Sequence, residues 1–347
     1  MRNLFVCHSQ ANVLLAISLT KGRFIDDNND LILFRDFAPN ETLDSILKSS
    51  FSRVLFLKGT YPAINKSWRA KIKRYPNDLI EIRKFLLSQY YSRVFEVCDE
   101  CIPELFILKW TETMHTEYIW LEDGSYPYFR NTDNKTGLAR NSWTRYIRKF
   151  IFKYVFGLGK YYEFEGTHMG ANNILRTAYL TFPGYQREEY STKQIIGISD
   201  DEFINGLATM YPKCNKNRLK TPSILIVMDK LDVYKDLSLV ESVILGIISK
   251  LKEQGIIVYY KYHPREESSL KALVSCIEID RFTGVENFYS SNLSNDLSII
   301  GIKSTGLQYA KKLGFNVKSI GKMVNEVDDN VLSFYSKIGI DVCEHVI

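Results

Sequence analysis

At 347 residues, 45% of them hydrophobic, the chain is long enough to bury two domain-sized cores. A net charge of +5, from 45 basic against 40 acidic residues, is too even to indicate nucleic acid as a partner. Six cysteines (Cys7, Cys98, Cys101, Cys214, Cys276 and Cys343) without framework spacing argue against a disulfide-stapled secreted fold, so reduced thiols are expected. No run of 18 uncharged apolar residues occurs, and the opening MRNLFVCHSQ lacks the apolar segment and cleavage site of a signal peptide. The expectation is a cytoplasmic protein, or one held peripherally on the cytoplasmic face of a membrane.

The first half alternates short β-rich runs with helical patterns. NLFVCHS leads into ANVLLAISL, LILFRDF into ETLDSILKSS, and RVLFLKG into a longer mixed stretch. Strands interleaved with helices imply parallel pairing through crossovers, hence an α/β fold with a Rossmann-like sheet. His8 sits at the first strand exit with Ser9 and Gln10; His115 and His168 have weaker claims to function. Cys98-Asp-Glu-Cys101 has CxxC spacing but no second pair. The run YIWL then stops at Glu122-Asp123-Gly124. Two carboxylates at the carboxyl end of a strand stand where open α/β sheets place their ligands, and Asp-Gly is equally an ordinary turn.

From Arg145 to Lys160 the segment RYIRKFIFKYVFGLGK mixes five basic residues with Ile and Phe. It suits an anionic membrane surface, an anionic substrate, or plain packing with a solvated basic edge. From about Glu163 to Leu219 the rhythm breaks into a stretch rich in Tyr, Asn, Gly and Thr. Alternation resumes at SILIVMD, followed by SLVESVILGIISKLKEQG with Gly255 at a helix C-terminus. Four or five βα units follow.

Three strand exits in this half carry chemistry. Lys261-Tyr-His263-Pro264 ends IIVYY; a histidine there can donate to a leaving phosphate or serve structurally, and Pro264 fixes the turn. Glu286 in GVENF can accept from ribose hydroxyls or cap a helix. LSIIGI runs into Ser304 and Thr305, whose hydroxyls and free N–H groups at a helix start suit a phosphate or simple N-capping.

The order Glu122-Asp123-Gly124, His263-Pro264, Ser304-Thr305 resembles the acid-acid-glycine, HP and serine motifs of bacterial sialyltransferases of glycosyltransferase family 52, related to the family 38 polysialyltransferases. The resemblance implies a GT-B-like fold, two Rossmann-like domains facing across a cleft. Residues 1–180 would form the acceptor-side domain and 181–347 the domain binding CMP-sialic acid. It implies inverting, metal-independent transfer of sialic acid from CMP-sialic acid to a terminal sugar, galactose by expectation, of a capsular polysaccharide or lipooligosaccharide. Glu122 would be the base, with Asp123 its runner-up. His263, Pro264, Glu286, Ser304 and Thr305 would hold the donor, His263 also acting on the phosphate. The hydroxyl pair departs from Ser-Ser, and some relatives place the base ahead of the HP motif, so Asp229, Asp232 and Asp236 are second-line candidates.

No cofactor or metal site is expected. The partners are CMP-sialic acid and a glycan acceptor, without nucleic acid; inner-membrane contact and a homodimer are left open. Two other readings stand beside this one: another GT-B transferase of envelope polysaccharide synthesis, and a non-enzymatic capsule-assembly protein at the membrane surface.

Overall fold

The computed structural model describes residues 1–38, 40–60, 68–87, 89–99, 101–113, 115–129, 146–147, 150–161, 169–212, 218–264, 266–281, 283–293 and 296–345. It divides into two compact units, Met1–Pro127 with Asn131–Met210, and Tyr128–Arg130 with Tyr211–Ile347.

The first unit is built on β1 (Arg2–Cys7), β2 (Asn28–Arg35), β3 (Arg53–Lys58), β4 (Arg93–Glu96), β5 (Glu117–Leu121), β6 (Thr177–Leu180) and β7 (Gln194–Gly197). They form one parallel sheet in the order β3-β2-β1-β4-β5-β6-β7. Leu4, Phe5, Val6 and Cys7 of β1 are all fully buried, as expected of a strand covered by helices on both faces. Among the described residues its α-helices are α1 (Gln10–Lys21), α2 (Glu41–Ser50), α3 (Trp68–Leu86), α4 (Ile102–Thr111) and α5 (Asp200–Met210). Ser9 and Asn12 cap α1 reciprocally, which fixes where β1 hands over to the helix. Helix α5 packs on α1 at Gly206, where a Cβ would lie 2.1 Å from Ser18 Oγ, so only glycine permits this approach.

The second unit carries β8 (Ser223–Val227), β9 (Ile257–Lys261), β10 (Ile277–Glu278), β11 (Leu297–Gly301), β12 (Asn316–Ser319) and β13 (Asp341–Val342), all parallel, in the order β10-β9-β8-β11-β12-β13. Helices α6 (Leu237–Glu253), α7 (Val285–Asn292), α8 (Thr305–Lys312) and α9 (Asp329–Lys337) connect them. Counted from β8 this is the 3-2-1-4-5-6 order of dinucleotide-binding sheets, and the first unit has the same order with β7 added. In such sheets ligands bind beyond the carboxyl ends of the strands, at the point where strand order reverses: between β1 and β4, and between β8 and β11.

Two expectations shift. The stretch 163–219, expected to be irregular, contains β6, β7 and α5; the two strands are only four residues each, too short for a periodic signal. The division expected at 180/181 falls at 210/211, because β7 pairs with β6 and α5 packs on α1. Among the described residues no helix is long and apolar enough to cross a membrane.

Candidate active site

In the first unit the acid pair leaves the end of β5, whose Tyr118, Ile119, Trp120 and Leu121 are buried. Gly124 takes the turn with φ +55°, a conformation that favours glycine, and the Tyr126 N–H closes the turn on the Asp123 carbonyl at 3.2 Å. The two carboxylates part company here. Glu122 is fully buried, one oxygen accepting from the Thr181 N–H at 2.6 Å and the other from the Thr181 hydroxyl. Asp123 is half-buried and accepts from Asn12 Nδ2 at 3.0 Å. Asn12 also accepts from the Ser9 N–H, so one amide joins the start of α1 to the acid pair. Nothing in the sequence singled out Asn12 except its place three residues after a capping serine.

His8 belongs to a neighbouring cluster. Its Nε2 lies 2.7 Å from Glu104 Oε1, its Nδ1 lies 3.4 Å from Asp36 Oδ2, and its ring stacks on Phe34 at 4.7 Å. Burial alone would lower its pKa, but hydrogen bonds to Asp36 and Glu104, with their charges, push it up to about 10. The protonated imidazole is thus the favoured form at His8, which lies between two carboxylates. His115 is exposed in the turn before β5, at the opposite end of the strand from the acid pair, and His168 lies outside the described residues.

In the second unit the exits of β8, β9 and β11 converge. The Glu266 N–H reaches back to the His263 carbonyl at 2.9 Å, with Pro264 exposed in the turn after His263. Glu266 ties this turn to the β8 exit, accepting from the Leu231 N–H at 2.6 Å. His263 is held half-buried on this turn. Ser304 caps α8, its hydroxyl accepting from the Gly306 N–H at 3.2 Å; Thr305 is the first helical residue, and both are half-buried. Asp229 links the β8 and β11 exits, accepting from Tyr234 Oη at 2.9 Å and the Lys303 N–H at 3.2 Å, and burial holds it above the usual carboxylate range against those bonds.

Glu286 occupies the first turn of α7, and burial raises it above the usual carboxylate range against the charge of Lys261. Lys261 precedes the HP motif by two residues. It is buried, and burial lowers it to about 8 although Glu286 and Asp280 pull the other way. Its ammonium donates to the carbonyls of Tyr262, Asp280 and Arg281, joining the HP turn to the segment leading into Glu286. A lysine closing an otherwise apolar strand was the available signal. Of the other second-line acids, Asp232 makes an exposed ion pair with Lys230, and Asp236 caps α6 through the Leu239 N–H at 2.9 Å.

Each unit thus offers polar groups at strand exits: a carboxylate pair in the first, and a histidine turn, a shielded carboxylate and a hydroxyl-capped helix start in the second. The alpha-2,8-polysialyltransferase (POLYST) family model matches residues 3–322. Among solved structures, the chain resembles an alpha/beta-galactoside alpha-2,3-sialyltransferase from Photobacterium phosphoreum at 11% identity and TM-score 0.54, covering 98% of each chain. It resembles the UDP-GlcNAc 2-epimerase of Neisseria meningitidis at 12% identity and TM-score 0.53, covering 98% of this chain and 95% of that one. The corresponding epimerase of Methanocaldococcus jannaschii gives 12% and 0.52, covering 97% and 92%. These likenesses are of fold, and the fold is GT-B-like. No curated protein matches the chain.

Proposed function

Because the chain belongs to the alpha-2,8-polysialyltransferase family, and so to the sialyltransferases, we propose that it transfers sialic acid from CMP-sialic acid, with inversion, to a terminal sugar of a capsular polysaccharide or lipooligosaccharide. The observation that carries this reading is the placement of His263, Glu286 and Ser304 on segments leaving the carboxyl ends of three strands, β9, β10 and β11, of one sheet in dinucleotide-binding order.

The donor is already activated, so the reaction needs two things. The acceptor hydroxyl must lose its proton as its oxygen bonds to the anomeric carbon, and the departing phosphate of CMP must be stabilised as the glycosidic bond breaks through an oxocarbenium-like state. The Glu122-Asp123 pair takes the proton. Motif order favours Glu122 as the base, and exposure favours Asp123, since Glu122 spends both oxygens on Thr181. His263, presented by its proline turn, meets the phosphate, and Ser304, Thr305 and the N–H groups opening α8 complete its binding. Glu286 receives the ribose hydroxyls, positioned by Lys261. None of these steps calls on a metal.

The test is to supply CMP-sialic acid with two acceptors, one ending in galactose and one in α2,8-linked sialic acid, in the presence of EDTA. The expected result is CMP release with a sialylated product on one of them, membership of the alpha-2,8-polysialyltransferase family favouring the second. Transfer only from another nucleotide sugar, or a strict need for Mg²⁺ or Mn²⁺, would move the chain to a different transferase class. No transfer from any donor, with no thermal shift by CMP, UDP or CDP, would leave a non-enzymatic protein.

A further inference from the structure

Just beyond β4, three potential metal ligands gather at the start of α4. Cys98 Sγ and Cys101 Sγ lie 3.6 Å apart, and these two sulfurs and a carboxylate oxygen of Glu104 all fall within 4.8 Å of one another. Two Zn–S bonds of about 2.3 Å opened at a tetrahedral angle would set the sulfurs about 3.75 Å apart, whereas a disulfide would draw them to about 2.05 Å. The chain brings the three together locally. Cys101 is the extended N-cap of α4, Pro103 is the second residue of the helix, and Glu104 lies in its first turn.

The surrounding carboxylates make a second, independent case. Glu104 is 1% exposed; its Oε1 meets His8, and its Oε2 has no hydrogen-bond partner among the described residues. Glu96, the last residue of β4, is fully buried, with neither oxygen hydrogen-bonded among the described residues. Asp99 differs in accepting from the Gly170 and Asn172 N–H groups at 2.9 and 3.0 Å. Orphaned buried carboxylate oxygens are costly, and a cation is a usual reason for them.

We propose that Cys98, Cys101 and Glu104 hold a thiophilic divalent cation, Zn²⁺ by its ligand chemistry, in the first unit. Each thiol releases its proton as it binds, and the fourth position is left to water. The His8–Glu104 contact orients the carboxylate from outside the ligand set. The site uses none of the residues assigned to transfer, so it stands or falls separately from that reading.

Elemental analysis of the intact protein, purified with reductant and without chelator, should find about one zinc per chain. Cd²⁺ added to the stripped protein should give a thiolate-to-metal charge-transfer band. Cys98→Ser and Cys101→Ser should each weaken Cd²⁺ binding by about a hundredfold or more, His8→Gln by roughly ten- to a hundredfold, and Cys276→Ser not at all. A chain without zinc that gives no band, a band that survives both serine substitutions, or a mass two hydrogens light from a Cys98–Cys101 disulfide would overturn the proposal.

Discussion

Glu122 and Asp123 are adjacent in the chain but stand in different surroundings, and a pair of isosteric changes separates their roles. Asp123→Asn removes a carboxylate that reaches solvent; if it is the base, kcat falls roughly 10²–10⁴-fold with little change in melting temperature. Glu122→Gln forces an amide N–H toward the Thr181 donors, so melting temperature should drop. A full loss of turnover in Glu122→Gln with Asp123→Asn active would give the base to Glu122. If both retain near-normal rates, Asp229 is next, since Asp232 and Asp236 are occupied in a surface pair and a cap. Lys261 gives a pH signature. Its pKa falls from 10.5 to about 8 on folding, so the unfolded chain binds the extra proton between those values. The penalty is full below pH 8, and this group's contribution to stability rises with pH from about 8 to 10.5. Urea unfolding of the native chain and of Lys261→Gln across that window should show the difference; an unchanged slope would show that the lysine is not depressed.

At the scale of elements, the start of α8 is the clearest test. Ser304 already caps the helix, so Ser304→Ala with Thr305→Ala should cost about 0.5–2 kcal/mol of stability. If the same hydroxyls also bind phosphate, CMP affinity should fall roughly tenfold to a few hundredfold in the same protein. A lower melting temperature with intact affinity would leave the stretch a cap alone. A second element is the turn Ile151–Val155 with its flanks, where Tyr146, Ile147, Phe150, Tyr154 and Val155 are each at least half exposed beside Lys153. Phe150→Ser with Tyr154→Ser should reduce co-sedimentation with anionic vesicles if this face meets a membrane; unchanged binding would remove it from that role. The strand exits bearing Glu122, His263 and Ser304 were legible because apolar runs ending in polar groups are a local signal. The partners Thr181 and Asn12 were not, since they reach the acid pair from other elements. Motif order suggested a role for Glu122 but could not report that its carboxylate is buried.

Over the whole molecule, the parallel α/β class and its two Rossmann-like units could be read from alternation, but the division between them could not. It depends on pairing between β6 and β7 and on the contact at Gly206, both set by tertiary approach rather than by composition. Nor did any pattern announce that Tyr128–Arg130 belongs to the second unit. There Tyr128 stacks on Phe334 at 4.6 Å, and Phe129 packs edge-on against Tyr335 at 6.3 Å. Phe334→Ala should therefore cost about 3–5 kcal/mol, and a double-mutant cycle with Tyr128→Ala should return a coupling of about 0.5–1.5 kcal/mol. Zero coupling would mean the stack contributes nothing. The same contact orders events during synthesis. Tyr128 is made about 200 residues before Phe334, which at roughly 5–20 residues per second is a delay of about 10–40 s. For that interval residues 131–210 can complete the first unit while two aromatic rings of the second remain without their partners, a window in which a chaperone has something to hold.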